Sequence, residues 1–162
     1  MSVTLVLGGA RSGKSAVAER RAGAGPVTYV ATAVPDPDDD DMAARIAAHR
    51  ARRPSTWETV EAEELVATVH TCSGTMLVDS LTAWVARAPD FAVDAGALCS
   101  ALRDREGDAI VVSDEVGLGV HPSSEPGRRF RDALGLVNQA VAGVADDVLF
   151  VVAGRVLRLD PA

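Results

Sequence analysis

Short apolar runs rich in β-branched residues alternate along this chain with stretches whose apolar residues recur at helical spacing. Val3 to Leu7, Val27 to Thr32, Thr56 to Val60, Met76 to Val78 and Ala109 to Val112 have the length and content of buried strands. Val148 to Val152 and Val156 to Leu159 face each other across Ala153-Gly154-Arg155 and predict a closing hairpin. Between the strands, a helix is expected from about Lys14 to Arg21, stopped by Gly23 and Gly25. Met42, Ile46 and His49 predict a second, ended by Pro54, and Leu65, Val66 and Val69 a third, stopping before Gly74. Leu81 to Arg87 reads as helix broken near Pro89, and another passes through Leu98 and Leu102 to a turn at Gly107. A loop with Pro122 and Pro126 leads into a long helix carrying Phe130, Leu134, Val137 and Val141. Strand runs alternating with helices predict an α/β fold with a mainly parallel central sheet.

No repeat or linker interrupts this pattern, so residues 1–162 are expected to form a single domain. The net charge of −7 argues against a general nucleic-acid binder, which would present a basic face. No apolar run approaches the ~20 residues of a membrane span, and the first residues lead straight into a strand. No membrane span and a cytoplasmic location are therefore expected. Cys72 and Cys99 stand in no metal-ligand spacing and read as buried reduced thiols. The acidic run Asp36, Asp38, Asp39, Asp40 and Asp41 lacks the glycine and closing glutamate of a calcium loop, and reads as a solvated loop before a helix.

The chemistry begins immediately after the first strand. Gly8-Gly9-Ala10-Arg11-Ser12-Gly13-Lys14-Ser15 matches G-x-x-x-x-G-K-S in full, between an apolar strand and a helix. Its glycines let backbone N–H groups turn inward around phosphate oxygens, and the helix dipole points at the same anion. Lys14 reaches the β- and γ-phosphates and the Ser15 hydroxyl is placed to ligate Mg²⁺. A second acid should hold the metal, and three stand at strand ends beside the loop: Asp79, Asp114 and Glu115. Spacing does not choose among them.

His49 lies in the basic segment Arg45-Ile46-Ala47-Ala48-His49-Arg50-Ala51-Arg52-Arg53-Pro54. Neighbouring cations disfavour a protonated imidazole, and a neutral ring is a nucleophile for phosphorus while the arginines neutralise phosphate charge. With the P-loop, the chain shares Tyr29-Val30-Ala31-Thr32, Arg45-Ile46-x-x-His49, Arg53-Pro54, Trp57 and Leu77-Val78-Asp79-Ser80-Leu81-Thr82 with one family. Asp114-Glu115-Val116-Gly117-x-Gly119, Phe130-Arg131-Asp132 and Asn138-Gln139 extend the likeness through the C-terminal half. On these motifs the chain resembles the bifunctional adenosylcobinamide kinase/adenosylcobinamide-phosphate guanylyltransferases of cobalamin biosynthesis.

The resemblance implies a P-loop NTPase (RecA-like) three-layer fold and two reactions. One phosphorylates adenosylcobinamide with ATP or GTP. The other transfers GMP from GTP to the product through a guanylyl-histidine, releasing pyrophosphate. It places the guanylylated histidine on His49 and the phosphate lysine on Lys14. The nucleotide contacts fall on Gly8 to Ser15, on Ala31, Thr32 and Ala33, on Arg50, Ala51, Arg52 and Arg53, and on Glu61 and Asp79. Mg²⁺ would be held by Ser15 with Asp79 or Glu115, and the family habit implies a homo-oligomer, a trimer. The chain departs from the family pattern at Asp114, where Asn is usual, at Ser80, where Cys is common, and at His121, where an aliphatic residue is usual. Two rival readings make different demands. A kinase without the guanylyl half would leave His49 dispensable, and a regulatory nucleotide-binding module would have no use for the basic segment.

Overall fold

The computed structural model describes residues 1–34, 44, 46–48, 50, 51 and 53–161. Seven strands form one sheet: β1 (Val3–Gly8), β2 (Val27–Ala31), β3 (Trp57–Glu61), β4 (Thr75–Asp79), β5 (Ala109–Asp114), β6 (Asp147–Val152) and β7 (Arg155–Leu159). Their order is β3-β2-β4-β5-β1-β6-β7, and every pair is parallel except the terminal β6–β7 hairpin. The α/β expectation is thereby met, including the C-terminal hairpin.

Helices cover both faces of the sheet. On one lies α1 (Lys14–Ala22), whose Val17 and Ala18 pack on Val6, Leu77, Ile110 and Val112. On the other lie α2 (Leu65–Thr71), α3 (Leu81–Arg87), α4 (Ala95–Asp104) and α5 (Glu125–Ala142). Leu65, Leu81, Leu98, Leu102 and Leu134 of these helices are completely buried against Leu5, Met76, Val78 and Val111. Strands buried on both faces need apolar residues at every position, which is why β1 and β5 read as continuous runs. α5 starts on Ser124, whose hydroxyl accepts from Gly127 N–H, with Pro126 within the first turn.

Several boundaries moved. β4 ends on Asp79, and β5 runs two residues past Val112, through Ser113, which is buried and donates to Asn138, to Asp114, whose side chain enters the cleft. Helix α4 stops at Asp104 rather than at Gly107, since Arg105 is drawn out of it. A 3₁₀ turn at Pro89–Phe91, absent from the sequence reading, follows α3. Of the predicted basic helix, residues 44, 46–48, 50 and 51 are helical, while Met42, Arg45, His49, Arg52 and the acidic run 36–41 lie outside the described residues. Cys99 is buried and Cys72 half-buried, both as free thiols. No described helix is long and apolar enough to cross a membrane.

At the end of the sheet where β4 and β5 begin, Arg105 closes two loops on each other. The residue is 3% exposed, and its guanidinium donates to the carbonyls of Gly74 (2.8 Å) and Cys72 (3.3 Å) on one loop and of Gly107 (2.7 Å) and Asp108 (2.9 Å) on the other. Gly107, at φ 95°, lies so close to Gly74 that a Cβ there would come within 2.3 Å of the Gly74 carbonyl oxygen. Burial pulls the guanidinium's pKa below its usual value, and the carbonyl dipoles replace the water it has lost. Arg105→Ala would orphan these carbonyls and should cost about 3 kcal/mol or more in urea unfolding. Lysine, lacking the planar fork, should recover less than half of that loss.

Candidate active site

Strand pleating decides what faces what. Side chains alternate between faces, so Trp57, Thr59 and Glu61 of β3, Tyr29 and Ala31 of β2, Leu77 and Asp79 of β4, and Val112 and Asp114 of β5 form one set. The members of this set that lie deep in the sheet pack in the core beneath α1. Register then aligns the strand ends: Ala31 pairs with both Glu61 and Asp79, and Gly8 with Asp114. The carboxyl ends of the parallel strands thus carry three acids on the face where α1 begins, the place where open α/β sheets bind ligands.

The P-loop leaves β1 at this edge. Gly8 sits where a Cβ would lie 2.5 Å from Ser12 Oγ and 2.7 Å from the Val151 carbonyl oxygen, so the loop closes only over a bare backbone. Gly13 takes φ 95° and Arg11 φ 56°, left-handed conformations that turn successive amides inward. The hairpin turn supports the loop from behind, where Gly154 N–H donates to Ser12 O at 2.8 Å. Gly9, by contrast, has open space at the position of a Cβ.

Beside the loop is a cavity of about 600 Å³, within the range of small-molecule sites. Of the sequence-predicted residues, Lys14, Ser15, Ala31, Ala33, Arg50, Arg53, Glu61 and Asp79 line it. Thr32 is buried behind the wall, where its hydroxyl donates to Ser80 O (2.6 Å) and accepts from Ser80 N–H (2.8 Å). Ala51 is exposed and absent from the lining. Glu115 turns away: its carboxylate accepts from Gly117 N–H at 2.7 Å and does not line the cavity, whereas Asp114 does. His49 and Arg52 lie outside the described residues, but Ile46 and Arg50, four apart on one helical face, both reach the cavity.

Sequence reasoning missed several wall residues. Tyr29 donates its hydroxyl to Asp79 at 2.6 Å, and the Arg53 guanidinium lies 3.2 Å above the centre of its ring. Arg87 of α3 donates to Thr32 O (3.2 Å) and to Glu63 O, tying helix to strand end. Thr82, also of α3, accepts from the amide of Asp114 at 2.9 Å. Tyr29 and Thr82 did carry a signal, since both stand in the shared motifs Tyr29-Val30-Ala31-Thr32 and Leu77-Val78-Asp79-Ser80-Leu81-Thr82, whereas Arg87 had none. Among the described residues, Lys14, Arg50, Arg53 and Arg87 put four cations on the cavity lining against Glu61, Asp79 and Asp114, in a chain of net charge −7.

The donor set suits Mg²⁺, a hard cation that takes oxygen ligands: the Ser15 hydroxyl and the Asp79 and Asp114 carboxylates share one cavity. Among the described residues no three His, Cys, Asp or Glu side chains converge into a self-sufficient metal site. Mg²⁺ sites completed by phosphate oxygens and water need no such cage.

Two predictions follow from this geometry. Gly8→Ala should destabilise the fold by about 2 kcal/mol through overpacking, whereas Gly9→Ala should leave the melting temperature unchanged and weaken binding of a fluorescent GTP analogue. Burial first, then the adjacent Asp79 carboxylate, raises the Tyr29 pKa far above its ordinary 10. The neutral phenol is therefore favoured in the fold. This contribution is complete below pH 10 and is lost as pH rises beyond it. Urea unfolding at about pH 8 and about pH 10.5 should show an alkaline loss of stability that is smaller in Tyr29→Phe.

Comparison with known proteins places these features in a family. Residues 4–159 match the family model CobU, described as cobinamide kinase / cobinamide phosphate guanyltransferase. The chain is 42% identical over 167 residues to a Pseudomonas aeruginosa protein named bifunctional adenosylcobalamin biosynthesis protein CobP, covering 96% of this chain and 95% of that one. It is 37% identical over 174 residues to Salmonella typhimurium and Escherichia coli proteins named bifunctional adenosylcobalamin biosynthesis protein CobU, covering 93% of this chain and 95% of each.

Proposed function

Because this chain belongs to the cobinamide kinase / cobinamide phosphate guanyltransferase family, we propose that its single phosphate cradle serves two transfers in adenosylcobalamin biosynthesis. In the first, the hydroxyl of adenosylcobinamide attacks the γ-phosphorus of ATP or GTP, the bond to the β-phosphate oxygen breaks, and ADP or GDP leaves as the hydroxyl proton passes to solvent. In the second, His49 attacks the α-phosphorus of GTP and pyrophosphate leaves. The corrinoid phosphate then displaces the histidine, giving adenosylcobinamide-GDP. The observation that carries this reading is the cavity itself, which the P-loop lysine and two arginines of the His49 segment, Arg50 and Arg53, line together.

Each residue's part follows from its place. The inward amides of Gly8 to Gly13 and the first turn of α1 hold the phosphate oxygens, and Lys14 places a charge beside the β- and γ-phosphates. Arg50 and Arg53, with Arg52 between them in sequence, neutralise charge on the phosphate chain within the same cavity. Glu61, Ala31 and Ala33 also line the cavity. Mg²⁺, held by Ser15 with Asp79, would supply positive charge to the phosphate oxygens and the departing pyrophosphate. Tyr29 orients the Asp79 carboxylate by its hydrogen bond. Both steps then depend mostly on positioning and electrostatics.

A cytoplasmic homo-oligomer, a trimer, completes the proposal. Leu136 on α5 and Leu157 and Leu159 on β7 are exposed apolar residues that an assembly would cover.

The chemistry has a direct test. Protein incubated with GTP carrying ³²P at the α-position should retain label through denaturation, and His49→Ala should not, while still phosphorylating adenosylcobinamide. Label on the His49→Ala protein would remove His49 from the guanylyl step. Loss of phosphorylation along with labelling would show that the two reactions do not divide at this residue.

A further inference from the structure

Lys14 already has a partner. Its ammonium lies 2.5 Å from Asp114 Oδ1 and 3.3 Å from the Gly9 carbonyl oxygen, with the lysine side chain 13% and the aspartate side chain 26% exposed. The group that should meet the β- and γ-phosphates is thus turned onto a carboxylate at the end of the neighbouring strand.

That carboxylate is firmly placed. The Asp114 amide donates to Thr82 Oγ1 (2.9 Å) and its carbonyl accepts from Asn138 Nδ2 (3.0 Å), while Ser113 donates to Asn138 Oδ1 at 2.6 Å. On its other side Asp114 pairs in register with Gly8, and the next amide, that of Glu115, donates to Gly8 O at 3.1 Å. The backbone of Asp114 is therefore tied to α3, to α5 and to the first residue of the P-loop. Its side chain can swing but cannot leave the cradle.

A phosphate entering the loop meets this anion in one of two ways. It either takes the ammonium and leaves Asp114 uncompensated, or shares the ammonium and sits beside the carboxylate. Both arrangements bring like charges together in a half-buried cleft, where repulsion is weakly screened. A divalent cation between carboxylate and phosphate relieves either one.

We propose that Asp114 is an internal counter-ion that occupies the P-loop lysine until a nucleotide arrives with its divalent cation, making nucleotide binding conditional on the metal. This rests on the nucleotide-binding reading of the cavity and adds to it. Asp114 acts here as a positioning residue: it sets where Lys14 points in the resting protein. The conditionality excludes metal-free nucleotide, which cannot complete either transfer.

Titration calorimetry with GTP, in excess Mg²⁺ and in EDTA, on the wild-type chain, Asp114→Asn, Lys14→Met and the double variant tests this. Wild type should bind GTP at least about tenfold more weakly in EDTA than in Mg²⁺. Asp114→Asn should gain about tenfold in EDTA and should lose affinity in Mg²⁺, where it gives up a carboxylate facing the cation, so its ratio of Mg²⁺ to EDTA affinity should fall by more than about tenfold. In the Lys14→Met background the same substitution should lose most of its EDTA gain, because the partner it released is gone. Asp114→Asn binding in EDTA within twofold of wild type, or more weakly, would overturn the proposal. So would an equal gain with and without Lys14. Should wild type bind no GTP even with Mg²⁺, the nucleotide reading itself fails, an outcome distinct from a flat Asp114→Asn response.

Discussion

The closure of the P-loop over Gly8 is the constraint on which the site is built. The loop can turn its amides inward only because nothing projects from Gly8 toward Ser12 and the Val151 carbonyl oxygen. That contact joins three parts of the chain: β1, the start of α1, and β6 with its hairpin turn, whose Gly154 amide bonds Ser12 O. A phosphate-binding loop is a row of unsatisfied donors held in strained backbone, and it keeps its shape only when the surroundings over-determine it. Here the parallel pairing of β6 with β1 provides one side of that support and Asp114, in register with Gly8, the other.

The cavity follows from the same edge of the sheet. Acids at strand ends would repel one another in a half-buried cleft, and the two nearest the P-loop carry compensating contacts. Asp114 faces Lys14, and Asp79 accepts from Tyr29 with Arg53 stacked beyond it. The cations are shared between two sources, the first turn of α1 and the basic segment ending at Arg53. A nucleotide lying between these sources would have its phosphates reached from both, which accords with a family whose two reactions occur at different phosphorus atoms. The remote Arg105 clamp binds the opposite end of the sheet with no part in this chemistry. The molecule thus separates a rigid, carbonyl-capped end from a charged, adaptable one.

Much of this was legible in the residues. The run of buried strands, the P-loop and the closing hairpin follow from local pattern, since a strand buried on both faces and a glycine-rich turn each need particular residues at adjacent positions. Helix α3 was bounded correctly at Leu81 and Arg87 because Ser80 and the Ala88-Pro89 pair are local stop signals. The end of β5 was set too short, because polarity at Ser113 and Asp114 looks the same whether the residue continues a ladder or begins a loop. The 3₁₀ turn at Pro89–Phe91 gave only a proline as its sign.

What the chain determined by itself was the identity of its chemistry: a phosphate cradle, a basic segment around His49, and acids at strand ends, all carried by short contiguous motifs. What only the tertiary structure decided was which of these meet. Asp79, Asp114 and Glu115 are alike as strand-end acids. Period-two alternation and parallel register turn the first two into the cavity, while Glu115, beyond the last paired residue of β5, folds back onto Gly117. The contacts of Lys14 with Asp114 and of Tyr29 with Asp79 span 100 and 50 positions, and strand order sets such distances. Pairings between remote segments leave no periodic trace in a single sequence, because the strands that bring them together are interchangeable in composition and differ only in their place in the sheet.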